Sequence, residues 1–130
     1  MSDPVNHPSH YVTNDSEVFR GECITFSSDM PFCQGNAFKY VWRAGLKDDE
    51  AQDLSKAAFY LSYLLAEWDN HEGRLYQNTL IEHLGSPCTW RDAILTNIAR
   101  GNYDSLDMSY RLIRTAIHNK IQMTQEMYQL

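Results

Sequence analysis

Four side chains in Gly35-Asn36-Ala37-Phe38-Lys39-Tyr40-Val41-Trp42-Arg43-Ala44-Gly45 have the types and spacing to hold an anion. Asn36, Lys39, Tyr40 and Arg43 recur every three or four residues, so a helix gathers them on one face. Arginine offers phosphate oxygens a planar fork, lysine a mobile point charge, and asparagine and tyrosine directional hydrogen bonds. Asp53, Lys56 and Tyr60 repeat the spacing downstream. Phosphoryl transfer asks mainly for alignment and for neutralisation of charge on the equatorial oxygens, and Lys39, Arg43 and Lys56 carry the right groups. The plainer reading is a solvated helix face on which Asp53 pairs with Arg43, worth ~0–1 kcal/mol if exposed.

Other chemistries fit less well. None of the six glycines begins a G-x-x-x-x-G-K-[ST] or G-x-G-x-x-G pattern, so a nucleotide would have to be held by side chains. His7-x-x-His10 suggests a metal, but Pro8 prevents helical presentation and no paired-cysteine spacing accompanies it. Hydrogen bonding to a ligand or neighbouring subunit, or proton transfer, suits these histidines better. Glu50-x-x-Asp53 has the spacing for a shared magnesium ion, yet residues 30 to 47 contain no second acidic pair, so no dedicated protein metal site is expected. Ser9 and Cys23 have neighbouring histidines without the marks of a nucleophile elbow.

The elements that must position these groups can be read from periodicity. Phe38, Val41 and Trp42 turn away from the polar stripe, and Gly45 fits the left-handed residue that ends the first helix. Asp48, Asp49 and Glu50 open a second helix with an apolar face of Ala51, Leu54, Ala57, Ala58, Leu61, Leu64, Leu65 and Trp68. Two antiparallel helices joined by a short acidic turn follow. Upstream, Ser28 or Asp29 is expected to cap the first helix with Pro31 in its first turn. Val12 to Asp29 reads either as two short strands around Gly21 or as a loop followed by a helical turn. Residues 3 to 11, with two prolines in five positions, form an extended arm. Downstream, Asp69 to Gly73 is a break, Leu75 to Leu84 a short helix ending at Gly85, and Ser86-Pro87 or Thr89 starts another that runs to Gly101. A final helix from Asp104 carries a narrow stripe of Leu106, Tyr110, Ile113, Ile117 and Ile121.

The fold class is therefore mainly α: a small helical bundle built on a central helical hairpin, with an extended N-terminal arm and a long C-terminal helix. Residues 1–69 supply arm and hairpin, and residues 70–130 a helical extension of the same domain. A hydrophobic fraction of 43% with 22% charge suits a globular chain, and no apolar run approaches the twenty residues of a membrane span. The start lacks the basic and apolar stretches of a secretory leader, and three cysteines without a Cys-x-x-Cys pair point to a reducing compartment. A net charge of -6 argues against duplex nucleic acid as a partner, so an anion site must be local.

Asp3-Pro4-Val5-Asn6-His7-Pro8-Ser9-His10-Tyr11, then Gly21-Glu22-Cys23-Ile24, then the Gly35 to Gly45 stretch with Asp53-Leu54 and Lys56-Ala57, resemble the SaV-like family of short tailed-phage proteins, often labelled phage nucleotide kinase. The resemblance spans about residues 3 to 68. It implies a phage-encoded, homo-oligomeric protein in the cytoplasm of the infected bacterial host. The implied activity is P-loop-less phosphoryl transfer to deoxynucleoside monophosphates, with a nucleoside triphosphate as donor and Mg2+ arriving with the nucleotide. The matching positions are Asn6, His7, His10, Tyr11, Glu22, Asn36, Lys39, Tyr40, Arg43, Asp53 and Lys56. On that basis Lys39, Arg43 and Lys56 neutralise phosphate, Tyr11 or Tyr40 stacks on the base, and Asn6 and Asn36 read its edge. Glu22, His7 or His10 orients the acceptor or shuttles its proton, and Tyr60 lies across the hairpin. Two departures stand out: Thr25 replaces an acidic residue, and the Tyr11 to Glu22 link is not glycine-rich. The same residues would also serve a module that captures a nucleotide or nucleotide signal without turnover, or an oligomer that binds a host protein.

Overall fold

Where the polar and apolar periods separate cleanly, the chain forms long helices. The structure, a computed structural model, describes Val12–Thr13, Phe19 and residues 21–46, 49–78 and 89–129, with Val12–Thr13 and residues 121–129 as backbone only. The elements are β1 (Val12–Thr13), β2 (Gly21–Glu22), α1 (Cys23–Ser27), α2 (Phe32–Arg43), α3 (Glu50–Ala66), α4 (Trp68–His71), α5 (Trp90–Arg100) and α6 (Tyr103–Gln129). The protein is mainly α. The expected arm, His7 and His10 among its residues, lies outside the described residues, as do Cys88 and the stretch from Thr79 to Leu84.

Four helices close a circuit: α2 packs on α3, α3 on α6, α6 on α5, and α5 back on α2. One core runs through all four, with Phe38, Val41 and Trp42 from α2, Leu54 and Leu61 from α3, Ile94 and Ile98 from α5, and Leu106 and Ile113 from α6 buried in it. Burying such a side chain is worth roughly 1.5–3 kcal/mol, which makes this seam the main source of stability. At one end Phe19 meets Phe26, Phe38 and Trp42 at centroid distances of 5.0, 5.6 and 6.2 Å, each edge-to-face.

Turn chemistry fixes the hairpin. Ala44 (φ -54, ψ 121) and Gly45 (φ 80) are the central residues of a type II turn closed by Leu46 N–H donating to the Arg43 carbonyl at 2.8 Å. The Asp49 carboxylate then accepts from Gln52 N–H at 3.0 Å and caps α3. Further on, Thr89 caps α5 through Asp92 N–H, and Gly101 ends it at φ 66.

Two expectations need correction, and one open alternative is decided. Ser28 and Asp29 do not cap α2: Ser28 N–H closes α1 onto Ile24, and the extended Pro31 precedes α2 with no side-chain cap. The stretch before α2 takes the helical alternative, because Cys23–Ser27 is a turn of helix, while Gly21–Glu22 pairs antiparallel with Val12–Thr13. Lastly, the described part of the expected Leu75 to Leu84 helix, Leu75 to Asn78, is not helical. Its polar groups are claimed by tertiary partners. Gln34, fully buried in α2, donates to the Tyr76 carbonyl at 2.8 Å and the Ile98 carbonyl at 2.9 Å and accepts from Tyr76 N–H at 3.0 Å. Asn78 N–H donates to the Ala99 carbonyl at 2.9 Å.

Candidate functional site

α2 and α3 lie side by side with their polar stripes facing each other, and the stripes meet at Tyr40. Its ring stacks on Tyr60 with centroids 6.1 Å apart and planes within 8°. Lys39 Nζ lies 4.5 Å from the Tyr40 centroid, the Arg43 guanidinium carbon 4.9 Å and Lys56 Nζ 5.3 Å. Three cations from two helices thus surround one electron-rich face system, each contact worth about 0.5–1 kcal/mol at partly exposed sites. Lys39, Tyr40, Lys56 and Tyr60 are half-buried, so their charges are neither fully solvated nor sealed off.

Arg43 differs from the lysines. Its Nε and Nη2 both donate to Asp53 Oδ1, at 3.2 and 3.1 Å, and Asp53 is fully buried. The exposed pair weighed from the sequence is therefore an interior one: Arg43 is 8% exposed. Its guanidinium is anchored by that carboxylate, whereas the two lysines are the half-buried cations of the cluster. Both arginine donors fall on one carboxylate oxygen, and Asp53 Oδ2, buried, has no hydrogen-bond partner among the described residues. That oxygen keeps acceptor capacity beside the cations.

At the other end of the stripe, Asn36 donates from Nδ2 to the Phe32 carbonyl at 2.8 Å, leaving its Oδ1 as an acceptor. Glu22 precedes α1 in extended conformation without capping it. The next residue, Cys23, is buried and its thiol is pushed up to about 11, by loss of hydration first, against opposing effects from Ser27 and from the positive charge of Lys39. Of the sequence-derived residues, the fold brings together Lys39, Tyr40, Arg43, Asp53, Lys56 and Tyr60, with Asn36 one turn away. Asn6, His7, His10 and Tyr11 lie outside the described residues.

Two features escaped sequence reasoning. Phe32 is 73% exposed and meets Tyr60 edge-to-face at 5.9 Å, and Phe59, 65% exposed, meets Tyr60 edge-to-face at 5.4 Å. The signal was present in Phe32, which sits four residues before Asn36 on the same helical line. A separate groove of about 430 Å³ opens near α5 and α6, lined by Trp90, Ile94, Leu112 and Ala116 with Glu50 and Lys120 at its edge. It is largely apolar and shares no residue with the cationic cluster. Among the described residues no three His, Cys, Asp or Glu side chains gather as metal ligands, and no helix is long and apolar enough to cross a membrane.

Residues 5–62 match DUF3310, described as a protein of unknown function. The matched stretch runs through α1 and α2 and most of α3, and so includes the whole Tyr40 cluster. The chain is also 38% identical over 79 residues to the Gene 1.7 protein of Enterobacteria phage T3, an alignment covering 55% of this chain and 45% of that relative. It is similar to a phage protein family of unknown function. This chain spans less than half the length of the curated relative it matches. No solved structure matches it.

Proposed function

We propose that the α2–α3 hairpin is a nucleotide site, and that the chain is a phage phosphotransferase passing a phosphoryl group to (deoxy)nucleoside monophosphates without a P-loop. One observation carries this reading: among the described residues, Lys39, Arg43 and Lys56 converge on Tyr40 while Asp53 pairs with Arg43, which sets the two lysine charges against that ring on a chain of net charge -6. A local field of that sign inside an acidic molecule has an anion as its natural counterpart.

The chemistry follows from the charges. A monophosphate oxygen of the acceptor bonds to the terminal phosphorus of a nucleoside triphosphate as the bond to the leaving diphosphate breaks. Lys39 and Lys56 follow the charge that spreads over the equatorial oxygens, while the anchored Arg43 fixes where it develops. A phosphate monoester has its second pKa near ~6, so its attacking oxygen is already deprotonated at neutral pH. The proton shuttle expected of Glu22, His7 or His10 is therefore unnecessary, and orientation of the acceptor is the role left to them. Tyr40, stacked on Tyr60 and ringed by cations, serves as their support rather than as a platform for a base. Magnesium would enter with the triphosphate. Homo-oligomerisation and action in the cytoplasm of the infected host complete the reading.

The test is turnover. The protein is incubated with ATP, magnesium and a panel of deoxynucleoside monophosphates, and diphosphate products are separated by chromatography. Lys39→Ala and Lys56→Ala should each slow product formation by at least about tenfold with the helical circular dichroism unchanged. Unaltered turnover in both variants would contradict the proposal. Wild-type binding without product would leave nucleotide capture in its place, and absence of both would leave a host-protein-binding module.

A further inference from the structure

The cluster accounts for the charged end of a ligand, but the aromatic end of the same stripe has no role in it. Along α2, Phe32, Asn36 and Tyr40 follow one another at four-residue intervals and so lie on one line. Phe32 is exposed over 73% of its surface, at the first residue of the helix, where no fold requirement explains a phenylalanine in water. Its ring meets Tyr60 edge-to-face, and Tyr60 stacks on Tyr40, so three rings form a continuous track leading to the cations. From Phe32 to Lys39 the helix rises about 10 Å, the reach of an extended nucleoside phosphate.

We propose that Phe32 is the base-stacking residue of the site and that it sets the direction in which the nucleotide lies. The base covers the Phe32 ring against Tyr60, the sugar passes Asn36, and the phosphates end over Lys39 and Lys56. Asn36 Oδ1, not used by the bond to the Phe32 carbonyl, accepts from a sugar hydroxyl or a base amine. Stacking tolerates any base because each presents a π face, so this seat confers affinity for nucleotides over bare polyphosphate rather than choice among bases. The inference rests on the proposed anion site, whose failure has a different signature.

Calorimetric titrations with ATP and with inorganic tripolyphosphate separate the two. Phe32→Ala should weaken ATP binding about tenfold and leave tripolyphosphate unchanged, and Phe32→Tyr should restore ATP binding. Lys39→Ala and Lys56→Ala should weaken both probes. If wild type binds both and Phe32→Ala alters neither, the base seat is overturned while the anion site stands. If wild type binds neither, both fail. Should Phe32→Ala leave ATP affinity intact but change the oligomeric state by light scattering, the ring is a contact between copies and the stacking role is overturned. Phe32 is exposed, so its replacement leaves the core intact, which circular dichroism checks.

Discussion

Arg43 and the two lysines around Tyr40 look equivalent by type and spacing, yet burial separates their roles. Removing the Arg43 guanidinium leaves the Asp53 carboxylate buried without its cation, so Arg43→Ala should cost about 3 kcal/mol in urea unfolding, whereas Lys39→Ala and Lys56→Ala should each stay within about 1 kcal/mol. Loss of activity in Arg43→Ala would thus report folding as much as chemistry. Asp53→Ala should cost a similar amount, and a double-mutant cycle should return a large coupling between the two. Cys23 gives a pH signature of its own. Its thiol ionises at about 11 in the folded chain, above the ordinary value of 9.0, because burial penalises the thiolate. The unfolded chain therefore loses this proton first, and the stability that Cys23 contributes, full below pH 9, is lost as pH rises to about 11. The loss is of the order of 2–3 kcal/mol. The difference between wild type and Cys23→Ala, measured across that window, isolates it from the lysines and tyrosines that titrate nearby. In alkylation at pH 8, Cys33, partly exposed, should react well before Cys23.

Among the elements, the tie between α2 and α5 is where a local reading of the chain is least informative. The heptad-like spacing of Phe38, Val41 and Trp42 against Asn36, Lys39 and Tyr40 made the two faces of α2 legible, and Gly45 and Gly101 announced the ends of α2 and α5 through their φ of 80 and 66. Gln34 announced nothing. Its partners lie 42 and 64 residues away, and no local period encodes a buried amide that bridges two segments. For the same reason Leu75 to Asn78 looked helical: its apolar residues fit a helix, but the backbone is engaged by Gln34 and Ala99 instead. Gln34→Leu should strip the Tyr76 N–H and carbonyl of their Gln34 bonds and leave the Ile98 carbonyl with the Gly101 N–H alone, lowering stability by about 2–4 kcal/mol. Gly101→Ala is a companion test. A Cβ there would stand 2.4 Å from the Tyr76 carbonyl oxygen on a left-handed backbone, so the variant should lose at least about 1 kcal/mol and loosen the same tie. Denaturant midpoints with unchanged m-values check both.

For the molecule as a whole, the side-chain cluster of the candidate site was legible as a set of residue types on two facing helices, while its grading from an aromatic to a cationic end was not. Helical spacing assigns side chains to faces, but how deeply each is covered depends on packing from α5, α6 and the α1 segment, which the local pattern does not contain. This depth made Arg43 an anchor and left Phe32 in solvent. The acidic remainder of the chain adds a global condition: long-range repulsion opposes an anionic ligand and short-range attraction at the cluster must exceed it. Salt screens both, but the half-buried contacts less, so ATP affinity should fall only several-fold, roughly, between 50 and 500 mM salt rather than vanish. The most direct test of the central claim is amide chemical-shift mapping of the labelled protein during titration with ATP and with a deoxynucleoside monophosphate panel. The account predicts saturable shifts concentrated in Phe32 to Arg43 and Asp53 to Tyr60. Shifts confined to the groove by Trp90 and Leu112, or none at millimolar ligand, would contradict it.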